Sequence, residues 1–203
     1  MHTTQRRILL KLSTTLVAGL TWGAFAPLAQ AAEKTPDALS KRLSDEVLGV
    51  IRTDKAIQAG DVDRVVAVVD GKIMPHVNFT RMSASATGPA WRGASAEQRH
   101  KLQQEFKTLL VRTYAGALRQ VSDQTVEVRP LRASPGDKDV IVRTLVKGQG
   151  EPVQLDYRME KTPGVGSGWK IYDLNVLGVW LVDNYRPQFS QQINSGGLDT
   201  LIN

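Results

Sequence analysis

The chain holds 203 residues, with 26 Lys+Arg against 20 Asp+Glu, 41% hydrophobic residues and no cysteine. The missing thiols exclude a disulfide framework, a thiolate metal site and a cysteine nucleophile. Arg6, Arg7 and Lys11 account for half of the formal charge of +6, so the chain after residue 31 carries only about +3, and without a dense Lys/Arg stripe interleaved with aromatics a nucleic-acid interface is excluded as well.

Residues 1–31 read as an export signal. The basic start is followed by an apolar stretch from Leu16 to Leu28 and by Ala29-Gln30-Ala31, the small-residue pattern that a signal peptidase cuts, here before Ala32. Ser13, Thr14, Thr15 and Thr21 dilute the stretch too far for a membrane anchor. Gln5-Arg6-Arg7-Ile8-Leu9-Leu10-Lys11 also approaches a twin-arginine signal, and general secretion fits equally well. Residues 32–203 form one domain: no internal repeat or low-complexity segment divides them, and about 170 residues suffice for a substantial core.

Helical patterning fills the first half. Thr35-Pro36-Asp37 offers a capped start for a helix carrying Leu39, Leu43, Val47, Val50 and Ile51, with Thr53-Asp54-Lys55 as its exit. Asp61 caps a second, with Val62, Val65, Val66, Val69 and Ile73, ended or bent near Pro75. A short helix from Asn78 to Thr87 stops at Gly88-Pro89. Ser95-Ala96-Glu97-Gln98 is a capping-box pattern opening the longest helix, to about Val121. That helix is expected to place Leu102, Phe106, Leu109, Leu110, Ala117 and Leu118 on one side and a Lys101–Glu105 pair on the other.

The period then changes to two. Strands are expected over Thr125 to Leu131, Val140 to Lys147, Val153 to Glu160 and Gly168 to Leu174, separated by Gly- and Pro-rich turns. In the third, Val153, Leu155, Tyr157 and Met159 face one way while Gln154, Asp156 and Arg158 face the other, which predicts one wet face. Short connections favour an antiparallel meander, so the fold class is α+β: a curved four-stranded antiparallel sheet with helices over its apolar face. Beyond it, Val176-Leu177-Gly178-Val179-Trp180-Leu181-Val182 is too short to span a bilayer and too apolar for an exposed loop.

Chemistry-bearing motifs are scarce. There is no G-x-S-x-G, no Gly-rich phosphate loop feeding a helix and no HExxH. Asp173 beside Tyr172 and Asp156 beside Tyr157 are the only pairs that suggest an acid–base site of a small isomerase or hydrolase, and neighbours on a strand point to opposite faces unless a bulge intervenes. A pure adaptor, with every apolar residue in a filled core, fits the same patterning.

The segment GWKIYDLNVLGVWLVDNYRPQFSQQINSGGLDTLI, residues 168–202, resembles the C-terminal signature of the MlaC family, the toluene-tolerance or Ttg family of periplasmic phospholipid carriers. A second block is similar too: Met74 to Met82, Trp91-Arg92, Ala96 to Arg99, Phe106, and Leu109 to Tyr114. Two departures stand out, Trp180 where many relatives carry Ser, and Pro187 in a segment usually free of proline. The resemblance implies no catalysis and no cofactor, with bound phospholipid as cargo. It implies an apolar pocket in which Phe79, Met82, Phe106, Leu110, Tyr114, Val153, Leu155, Tyr157, Met159, Trp169 and Ile171 enclose acyl chains, where patterning alone makes them ordinary core. Arg81, Arg92 and Arg143 are candidates for meeting the head group. As partners it implies an inner-membrane MCE-domain/ABC transporter complex and an outer-membrane lipoprotein–porin complex, and as role a periplasmic shuttle that maintains outer-membrane lipid asymmetry.

Overall fold

The computed structural model describes residues 35–134 and 136–203; the export signal lies outside them. Helix α1 (Pro36–Thr53) starts as its cap predicts, with the Thr35 hydroxyl accepting from Ala38 N–H. Asp54 then caps the single turn α2 (Lys55–Ala59), which Gly60 ends in the left-handed conformation at φ 91°. Helix α3 (Val62–Val68) widens into a π turn over Val69–Ile73 and tightens to a 3₁₀ turn at Met74–His76, so the bend begins a turn before Pro75. Helix α4 (Phe79–Thr87) is capped by Asn78 and stopped by Gly88. A short turn α5 (Ala90–Gly93) leads to α6 (Ala96–Leu118), and the expected Ser95–Gln98 capping box forms in both directions.

Six strands follow, β1 (Thr125–Val128), β2 (Asp139–Val142), β3 (Thr144–Lys147), β4 (Val153–Lys161), β5 (Trp169–Val176) and β6 (Val179–Trp180). All pair antiparallel in the order β1-β3-β4-β5-β6, and β2 continues along β4 beyond β3. The strand expected over Val140 to Lys147 is therefore one strand broken at Arg143. Asp156 explains the break, because its carboxylate takes the Thr144 N–H at 3.1 Å and the Gln154 amide at 2.6 Å, replacing a ladder partner. Asp156 is thus buried, not on a wet face. A bulge opposite Arg158/Met159 lets Arg158 pair with Asp173 and Met159 with Ile171, leaving Tyr172 as the extra residue.

Helix α7 (Leu181–Gly196) runs unbroken through Pro187, and α8 (Leu198–Ile202) closes the chain. Pro187 is tolerated because it and Asp183, whose carbonyl it leaves without a donor, both lie on the exposed side. On α6 two expectations fail. Leu109 is 40% exposed, since the buried stripe runs through Leu102, Phe106 and Val111, and Lys101 pairs backwards with Glu97 at 3.7 Å, not forwards with Glu105.

The apolar interior is divided. Phe79, Met82, Phe106, Leu181, Val182, Tyr185 and Phe189 form one cluster between α4, α6 and α7. Leu39 and Leu43 of α1 meet Val140, Val142, Tyr157, Met159 and Ile171 of the sheet in a second. Ile51, Ile57, Val65, Val68 and Val111 make a third. The long helix α6 packs chiefly on α3, α4 and α8, not on the strands.

Candidate functional site

The inner face of the sheet is set by strand alternation. Val140 and Val142 on β2 register with Met159 and Tyr157 on β4, and Met159 registers with Ile171 on β5. Helix α1 lies across this face, tied by a hydrogen bond between the Ser44 and Tyr157 hydroxyls at 2.9 Å. Burial pushes the Tyr157 phenol above its usual value, so that hydroxyl stays neutral.

Helical spacing sets the opposite wall. Phe106, Leu110 and Tyr114 recur every four residues on α6, on the side turned to the first cluster, while Val111, Ala115 and Leu118 turn to the third. Phe106 is ringed by aromatics, tilted against Phe79 at 5.6 Å and edge-on to Tyr185 at 5.3 Å and Phe189 at 5.0 Å. Such pairs add about 0.5–1.5 kcal/mol each beyond area burial.

Between these walls the clusters meet through a few shared residues. Val47 is shared by the second and third clusters, and Val77 and Leu174 by the first and second. All three remain partly exposed, as do Met74, Leu110, Tyr114, Leu155 and Val176. A filled core merges such groups into one contiguous cluster. Here the groups stay three clusters, and the apolar residues between them, from α1, α3–α4, α6 and the sheet, are only partly buried.

The expected pocket residues divide accordingly. Phe79, Met82, Phe106, Leu110 and Tyr114 belong to the α4–α6–α7 cluster, and Leu155, Tyr157, Met159, Trp169 and Ile171 to the sheet cluster. Val153 sits farther along β4, paired with Val146. Sequence reasoning passed over Tyr185 and Phe189, whose i, i+4 spacing was the available signal and was masked by Pro187 between them. Val47, Leu174 and Val176 were read as parts of a helix or strand, and their place between clusters follows only from tertiary packing.

The three arginines scatter. Arg81 reaches Glu160 at 2.6 Å and Asp139 at 2.7 Å and lies over the Tyr172 ring at 3.5 Å, so its fork is already engaged. Arg92 is exposed on α5 and lends its carbonyl to Arg99 at 3.2 Å. Arg143 is exposed at the break between β2 and β3, in a groove of about 550 Å³ lined also by Arg132, Asp139, Ile141, Arg158 and Tyr172, on the sheet face away from α1.

The two carboxylate–tyrosine pairs are structural. Although a bulge does fall at Tyr172, Asp173 is completely buried and spends its oxygens on Arg158 at 2.8 Å, Leu174 N–H at 2.9 Å and Val182 N–H at 3.1 Å, which fixes the start of α7 against the sheet. Burial raises its pKa, and those three donors only partly offset the shift. Asp156 is consumed at the strand break. Among the described residues no cluster of His, Asp or Glu could hold a metal ion, and no helix is long and apolar enough to cross a membrane.

Comparison with known proteins bears on this site directly. Residues 41–203 match the sequence model of the MlaC protein family. The chain is 25% identical over 173 residues to the intermembrane phospholipid transport system binding protein MlaC of Haemophilus influenzae, covering 84% of this chain and 80% of that protein. It is 24% identical over 174 residues to the toluene tolerance protein ttg2D of Pseudomonas putida, covering 85% and 80%. Among solved structures, the phospholipid-binding protein of Ralstonia solanacearum, in complex with a phospholipid, superimposes with a TM-score of 0.77 at 44% identity, over 82% of this chain and 92% of that one.

Proposed function

The chain belongs to the MlaC family, and from that membership we propose that it is a soluble periplasmic phospholipid carrier, not an enzyme, which shields acyl chains in the space between its three apolar clusters. What supports the reading is a relative, 44% identical, that is in complex with a phospholipid, together with three apolar clusters that meet here through partly buried residues.

The energetics require such a space. At about 0.8 kcal/mol per CH₂, two long acyl chains exposed to water cost roughly 20 kcal/mol, so lipid does not cross an aqueous compartment unaided at a useful rate. A carrier must replace nearly all of that contact and still release its cargo. Release is therefore triggered by docking, which stabilises an open state, and not by dissociation into water. We assign the docking partners to an inner-membrane MCE-domain/ABC transporter complex and an outer-membrane lipoprotein–porin complex, between which the protein shuttles to maintain lipid asymmetry. The residues assigned to the acyl chains are Leu110, Tyr114, Leu155, Met159 and their neighbours in the first two clusters, and Arg81, being paired, leaves the head group to solvent.

Mass spectrometry of an organic extract of the natively purified protein should find phospholipid near one molecule per chain, and a lipid-free extract with an intact fold would sink the proposal. Leu155→Trp sharpens the test. In a filled core the extra volume costs about 1–3 kcal/mol, whereas in a ligand space it displaces cargo at little cost to stability.

A further inference from the structure

Of the four tyrosines in the chain, two are accounted for: Tyr157 shares a hydrogen bond with Ser44 and Tyr172 lies beneath Arg81. The other two belong to the first cluster. Tyr185 is only 6% exposed, its ring held between Phe106 and Phe189 at 5.3 and 5.6 Å, and Tyr114, eight residues after Phe106 on α6, packs on the same cluster. Neither hydroxyl has a hydrogen-bond partner among the described residues. Neither is among the enclosed unpaired side-chain atoms of the described residues, which are Ser83 Oγ and Thr162 Oγ1, so both oxygens are accessible to a ligand where phenylalanine would offer no polar group.

We propose that the Tyr114 and Tyr185 hydroxyls are the polar contact inside the pocket, donating hydrogen bonds to the ester carbonyl oxygens that join the acyl chains to glycerol. The assignment rests on the carrier reading above. An acyl chain offers no acceptor, and a phosphate buried here would need a cation. Burial raises the Tyr114 phenol and Tyr185 raises it further, so that hydroxyl remains a neutral donor. A neutral carbonyl is the acceptor that matches them, and a phospholipid presents one on each chain where the apolar part ends.

The test compares two lipids of identical chains and head group, a diester phosphatidylcholine and its diether analogue, which lacks the carbonyls. Each is titrated into the delipidated, exported form of the protein. Wild type should bind the diester about tenfold more tightly, the effect of one to two net hydrogen bonds. The Tyr114→Phe/Tyr185→Phe double variant should bind both lipids with the affinity wild type has for the diether, and its retained diether binding reports that it is folded. Should the double variant not fold, the wild-type comparison and Tyr114→Phe, at a partly exposed position, decide. Equal binding of both lipids by wild type, or a tyrosine variant that keeps the full ester preference, overturns this assignment and leaves the carrier reading standing. Binding of neither lipid overturns both.

Discussion

Asp173 shows how much of the architecture hangs on one side chain. With no exposed surface and three donors on its two oxygens, its truncation leaves Arg158 without its buried partner and the Val182 N–H without an acceptor, so Asp173→Ala should lower unfolding free energy by about 3–5 kcal/mol in urea titration. A change below about 1 kcal/mol would mean that water replaces it. His76 supplies a pH dependence. It sits half-buried at the bend before α4, and burial first, then Arg42 and Lys170, hold its pKa below the ordinary 6.5, with Glu46 opposing. The folded state therefore resists protonation. Stability is full above 6.5 and is lost as pH falls through the depressed folded value. Thermal melts between neutral and mildly acidic pH should show that loss in wild type and a flatter profile in His76→Gln; parallel profiles would remove His76 as the cause.

One turn carries strain that a sequence change can relieve. The β5–β6 hairpin turns on Leu177-Gly178, with φ of 53° and 88°, and Val176 opposite Val179. Both turn residues are left-handed, as a type I′ turn demands, and such turns favour Asn-Gly. Leu177 is 67% exposed, so Leu177→Asn should stabilise the fold by about 1 kcal/mol, read as a shift in urea midpoint at constant slope. A loss of stability would show that the leucine makes contacts that outweigh its backbone conformation. The elements differ sharply in how readable they were. The caps at Thr35, Asp61, Asn78 and Ser95 and the alternation in β4 are local chemistry, and each element appeared where these residues placed it. The break at Arg143 was not legible, because Asp156, which causes it, lies across the sheet on another strand. Nor was the exposure of Leu109, since which side of α6 is buried depends on the partners that α3 and α8 bring to it. The pocket is implied only by family likeness: periodicity names apolar residues and says nothing of whether they meet.

At the scale of the molecule, the proposed carrier role makes cargo part of the interior. A carrier whose three clusters meet through a few shared residues should be much more stable loaded than stripped: at lipid a thousandfold above the dissociation constant the linkage is about 4 kcal/mol. Calorimetry of delipidated and reloaded protein checks this, and coincident melting temperatures would show that the interior closes on itself when empty. The packing of α6 has a mechanical consequence. Because that helix is braced chiefly by other helices, the helical wall reaches the sheet through α4 and α7 against β5, while α1 lies against β1 and β2. On the carrier reading, α6 can then shift relative to the sheet with few strand contacts of its own to break, so that one shape of protein serves lipid chains of different length and unsaturation.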